Sequence, residues 1–130
     1  MFRIIVLRIV EYLLCRAVLN NLAFCHDANA VGEHARDRLH ALATKYDAIG
    51  DVRGSGLIFG VELVTDPVTK SPASDLTDRI INEMRARGVI LSKLGRHKNT
   101  LKIRPPMPFS IQNADLLCDT LDDVLRVMLQ

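Results

Sequence analysis

Hydrophobic and polar positions change period several times along the chain, and each change predicts an element. From Val31 to Tyr46 the apolar residues Val31, Ala35, Leu39, Leu42 and Tyr46 recur three or four apart, the repeat of one buried helix face. Glu33, Arg36, Asp37 and Arg38 on the other face read as solvated charges, and Gly50 falls just past the expected helix end. Leu57, Phe59, Val61 and Leu63 then alternate with Ile58, Gly60, Glu62 and Val64. That period of two predicts a strand with one core face and one small, mixed and partly charged face. The segment "TDPVTKSPAS", residues 65–74, reads as an exposed loop leading into a helix. Ser74 is placed as that helix's N-cap, Leu76, Ile80, Ile81 and Met84 as its apolar stripe, and Gly88 as its stop.

Beyond Gly88, the run Val89–Leu91 and the strand "TLKIR", halted by Pro105 and Pro106, predict an antiparallel hairpin with a long connection. Ser110 caps a last helix whose Ala114, Leu117, Leu121, Val124 and Met128 again recur three or four apart. The resulting order predicts an α+β fold: a small antiparallel sheet covered on one face by helices.

Three glycines need a reason inside this pattern, because glycine costs about 0.5–1 kcal/mol relative to alanine within a regular element. In "RGSGLIFG" a phosphate-binding loop is disfavoured: such a loop follows a strand and opens a helix, whereas this one precedes a strand. The better physical reading is a turn at Gly54 and Gly56 needing positive φ, with Gly60 a close-approach position on the strand's non-core face. In "LKIR", Leu101 and Ile103 take one face while Lys102 and Arg104 take the other, so both cations can share the face that carries Gly60 and Glu62. Arg104, directly before two prolines, is pinned at the strand's rim, a suitable place for a fork that grips a carboxylate or phosphate. The plainer alternative is a solvated face with Glu62 in a surface ion pair.

Composition narrows the classes. A length of 130 residues fits one core, and 48% hydrophobic residues exclude disorder and suggest apolar surface awaiting a partner. Seventeen basic and fifteen acidic residues are interspersed, leaving no electrostatic footprint for nucleic acid. Residues 1–27 form an apolar, helical N-terminal segment, but Arg3, Arg8, Glu11 and Arg16 interrupt it, so no membrane span is expected; attachment to a membrane surface is a weaker reading. Cys15, Cys25 and Cys118 make no CxxC pair or even disulfide framework and are expected as buried thiols in a reducing, cytoplasmic setting. His26, His34, His40 and His97 lack the spacing of a helical metal pair, so no metal is expected. Asp119, Asp122 and Asp123 read as helix surface, and Ser55 lacks the strand-to-helix context of a nucleophile.

Taken in order and spacing, "IGDVRGSGLIFGVELV", "RARGVIL" and "NTLKIRPPMPFSIQNADLLCDTLDDVL" resemble the C-terminal end of the class III pyridoxal-phosphate aminotransferases, in the branch of alanine–glyoxylate aminotransferase 2 and its phospho-lyase relatives. The resemblance covers about residues 28–130. It implies the small C-terminal domain of a fold-type-I enzyme, packed against a large cofactor-binding domain or a homodimer partner and acting on a small amino compound. It implies that Arg104 binds a substrate carboxylate or pairs with an active-site glutamate, and that another layer approaches Gly60. The Schiff-base lysine and the cofactor's other ligands belong to the family's large domain. Lys45, Lys70, Lys93, Lys98 and Lys102 all fall in elements matching the small domain. The resemblance therefore implies a fragment or split part with no catalytic residue of its own, inactive alone and holding no covalent pyridoxal phosphate. Residues 1–27 match poorly and are a remnant of a preceding helix, a changed reading frame or an unrelated segment. A noncatalytic interaction or dimerisation module using the exposed sheet face is the alternative.

Overall fold

The computed structural model describes residues 22–130, with side chains from residue 28 onward. The N-terminal segment therefore lies outside the described residues up to Leu22, where helix α1 (Leu22–Lys45) begins. Strands β1 (Ile49–Ser55), β2 (Ile58–Asp66) and β3 (Ser71–Pro72) follow, then α2 (Ser74–Ala86), β4 (Ser92–Leu94), β5 (Thr100–Ile103) and α3 (Ile111–Met128). The sheet runs β1-β2-β5-β4, every pairing is antiparallel, and β3 adds to the far end of β2.

The α+β expectation holds. Phe59, Val61 and Leu63 of β2, Val52 of β1 and Leu101 and Ile103 of β5 enter one core with Val31, Ala35, Leu39, Ile80, Met84, Ala114, Leu117 and Leu121 from the helices. Helix α1 packs on β1 and β2, α2 on β2 and β5, and α3 against both helices. Alternation thus buries one sheet face under helices and leaves the other without a helical cover among the described residues.

Five local expectations are corrected. Gly50 is not the helix stop: α1 ends at Lys45, and Gly50 lies in β1 where the register shifts against β2. A Cβ at Gly50 would stand 2.6 Å from Val64 Cγ1, and Val64, expected on the mixed face, is buried there. Ser74 is the first helical residue and not the cap; its hydroxyl donates to the His97 carbonyl, while Ala73 precedes the helix with no side-chain cap. The strand expected at Val89–Leu91 begins at Ser92, because Gly88 (φ +88°) and the Val89 amide, bonded to the Met84 carbonyl, still belong to the end of α2. Arg38 is no free surface charge but spans to α3. Ser110 does cap α3, accepting from the Asn113 amide at 3.2 Å.

Candidate functional site

Strand register builds the uncovered face row by row. Arg53 pairs with Gly60, and Gly60 with Lys102, which in turn pairs with Ser92. One step toward the strand ends, Asp51 pairs with Glu62 and Glu62 with Thr100. One step the other way, Ile58 faces Ser55, and Arg104 continues the alternation of β5 beyond buried Ile103. Arg104 is exposed and is followed by buried Pro105, so proline geometry fixes the point at which its side chain leaves the sheet.

Charge on this face is unevenly satisfied. Arg53 Nη1 donates to Asp51 Oδ2 at 3.1 Å and Nη2 to Glu62 Oε2 at 3.0 Å, so its guanidinium is already held between two carboxylates. The side chains of Lys102 and Arg104 make no hydrogen bond or ion pair with any described residue. Between these groups Gly60 leaves the floor low: an added Cβ would meet Thr100 Cγ2 at 3.3 Å and Arg53 Cγ at 3.7 Å. Chemically, the face offers two cations without a direct partner beside a backbone floor and, with Arg53, Asp51 and Glu62 counted, one net positive charge, an arrangement suited to a single oxyanion.

Gly54 and Gly56 stand at the β1–β2 turn and not around Arg104. A Cβ at Gly54 would lie 2.1 Å from the Ile58 carbonyl oxygen of its own hairpin. Gly56 takes φ +56° at the first of the two turn residues, where Leu57 has no positive φ, as a II′-type hairpin turn requires. Here the sequence reading missed a partner: a Cβ on Gly32, inside α1, would stand 2.2 Å from the Gly56 carbonyl oxygen. The signal was an isolated glycine inside a helical pattern, which usually has a packing reason.

The α1–α3 seam carries a polar network that ties the two helices together. His34 Nε2 lies 2.7 Å from Asp115 Oδ1, and Arg38 donates to Asp115 Oδ1 (2.6 Å) and Asp119 Oδ1 (2.5 Å). Lys45 and the Tyr46 hydroxyl both reach Asp122. These contacts hold the carboxyls of Asp115 and Asp122 below the usual range, His34 acting most on the first and Lys45 on the second. Burial pushes the Cys118 thiol up to about 11, so it stays a neutral core group; Cys15 and the Cys25 side chain lie outside the described residues.

Nothing among the described residues fits pyridoxal phosphate. Lys45 is tied to Asp122, Lys70 to the Gly50 carbonyl and Lys93 to Asp78, while Lys98 sits exposed in the β4–β5 turn and Lys102 on the open face. An apolar pocket of about 360 Å³, bounded by Ala28, Val31, Met107, Phe109, Ser110 and Ile111, has neither lysine nor aspartate in its wall. No three described His, Cys, Asp or Glu side chains converge as metal ligands. No described helix is long and apolar enough to cross a membrane.

The comparisons agree with this architecture. A family model for aminotransferase class III matches residues 9–125. The chain is 41% identical over 96 residues to the mitochondrial alanine–glyoxylate aminotransferase 2 homolog 2 of Arabidopsis thaliana, covering 74% of this chain and 20% of that protein. It is 36% identical over 121 residues to ethanolamine-phosphate phospho-lyase homolog 1 of Caenorhabditis elegans, covering 88% and 26%. A solved phospholyase from Arthrobacter, in complex with phosphoethanolamine, superposes with TM-score 0.79 at 35% identity, over 87% of this chain and 26% of that one. The chain thus spans between a fifth and about a quarter of the length of these relatives.

Proposed function

The chain belongs to the class III aminotransferases, and from that premise we propose that residues 28–130 act as the small C-terminal domain of a pyridoxal-phosphate enzyme. In this reading Arg104 binds the carboxylate of a small amino substrate or pairs with an acidic group of the site. The large cofactor-binding domain, with its Schiff-base lysine, completes that site, and these 130 residues alone do not catalyse. The reaction in this reading is transamination or phosphate elimination, for which an aminotransferase and a phospho-lyase among the relatives are named. A free, buried Cys118 supports a reducing compartment such as the cytoplasm.

One observation carries the reading: Arg104 leaves the sheet at a proline-fixed rim, on the face without helical cover, with no partner among the described residues. A guanidinium so placed is pre-organised for bidentate capture of an anion. Residues 28–130 grafted in place of the matching region of the worm phospho-lyase homologue test it. The chimera is expected to be active, and Arg104→Lys to raise KM about tenfold by loss of the fork; an unchanged KM removes Arg104 from the site.

Exposed apolar groups on the same face, Ile58 (53%) and Leu94 (43%), favour a second reading, a noncatalytic module that associates with itself or another protein. A clean monomer by light scattering at high concentration counts against self-association.

A further inference from the structure

Ile58 stands one residue outside the buried Phe59–Ile103 pair on β2, as Arg104 does on β5. Carrying the antiparallel register one step further sets the two side by side on the open face, where directly opposed Cβ atoms lie about 5 Å apart. Ile58 is 53% exposed, and its other neighbours on this face are small: Ser55 across on β1 and Gly60 two residues along β2. A single exposed isoleucine is ordinary on a protein surface, but this one stands against a guanidinium with no partner among the described residues. We infer that Ile58 is a specificity-determining residue of the Arg104 site, an apolar wall beside the fork that selects monocarboxylates whose aliphatic part lies against it. This rests on the reading that Arg104 binds a substrate anion.

Charge and space agree on that ligand. Arg53, Lys102 and Arg104 against Asp51 and Glu62 leave one net positive charge on the face, which a single carboxylate balances. With the carboxylate on Arg104, the carbons next to it come within reach of the Ile58 side chain, and Gly60 puts no side chain in their way. An aliphatic part in this position removes apolar surface from water on both sides of the contact. A hydroxyl or ammonium in the same position gives up water and meets no hydrogen-bond partner on isoleucine.

The test uses the 130-residue chain. Amide NMR shifts are followed while acetate, propionate or butyrate is added at about pH 7, where each acid is ionised, with 1-butanol as the uncharged control. Shifts at Ile58, Gly60 and Arg104 are expected with the acids and not with the alcohol, and affinity is expected to rise about twofold per added methylene, each being partly buried. Ile58→Thr keeps the β-branched shape and exchanges the ethyl branch for a hydroxyl. It should remove most of the rise and leave acetate binding unchanged, whereas Ile58→Val should keep most of the rise. A well-dispersed spectrum shows that each variant is folded. No rise in the parent chain, or the same rise in Ile58→Thr, overturns the role of Ile58 and spares Arg104 if Arg104→Gln abolishes the acetate shifts. Acetate shifts that survive Arg104→Gln, or a parent chain that responds to none of the acids, overturn the underlying reading as well.

Discussion

Gly32 and Gly56 show how a single missing Cβ sets the contact between a helix and a hairpin. An alanine at position 32 places a methyl 2.2 Å from the backbone oxygen of Gly56, which no side-chain rotation relieves. Gly32→Ala is therefore expected to destabilise by about 1–3 kcal/mol or more in urea unfolding, despite alanine's better helix propensity. Gly56→Ala has open space but a φ of +56°, so about 1 kcal/mol is expected. Gly60→Ala meets only the Thr100 methyl, at 3.3 Å, and is expected to cost less than about 1 kcal/mol in the chain alone. A larger loss at position 60 than at position 32 contradicts this ranking. The glycines of "RGSGLIFG" were conspicuous in the sequence because they interrupt a strand pattern. Gly32 was not, because its partner is a backbone carbonyl brought close only by tertiary packing.

At the scale of elements, β2 is the hub, and its alternation was legible because Phe59, Val61 and Leu63 meet helices on one side only. The strand β1 was hidden: "IGDVRGS" has three polar or charged residues and two glycines, and it holds its place by pairing with β2 and not by a hydrophobic period. Asn99 was also hidden. Its buried side-chain amide donates to the Leu63 carbonyl (2.9 Å), and its own carbonyl accepts from the Leu63 amide (2.7 Å), tying the start of β5 to β2. Asn99→Ala removes one of two donors to the Leu63 carbonyl, which keeps the Ala73 amide at 3.1 Å, so a cost of about 1 kcal/mol is expected by denaturant unfolding. Between α1 and α3, Asp115 and Asp122 have folded pKa values below their unfolded ones. Their contribution is present above the ordinary carboxylate pKa of about 3.9 and is lost as pH falls through the folded values. The melting temperature is expected to fall on acidification below about pH 4, and more shallowly in an Asp115→Asn, Asp122→Asn double variant. An acid limb as steep in the variant as in the parent contradicts a stabilising seam.

For the whole molecule, one sheet face is core and the other has no helical cover among the described residues, and the two were not equally readable. Period and capping revealed the core because burial is written into every second or fourth residue. The open face showed in the sequence only as Lys102 and Arg104 sharing a side; that Arg53 is neutralised by Asp51 and Glu62 emerged from the strand register. The central claim is that these residues supply an anion-binding rim to a class III aminotransferase site whose cofactor lysine lies elsewhere. The most direct measurement is to incubate the purified chain with pyridoxal phosphate, reduce with borohydride and map lysine adducts by mass spectrometry. The account predicts no stoichiometric, site-specific adduct, since Lys45, Lys70 and Lys93 are tied to neighbours and neither Lys98 nor Lys102 lines the apolar pocket beside Phe109. A single lysine modified to completion contradicts it, for the cofactor's anchoring group would then lie within these 130 residues.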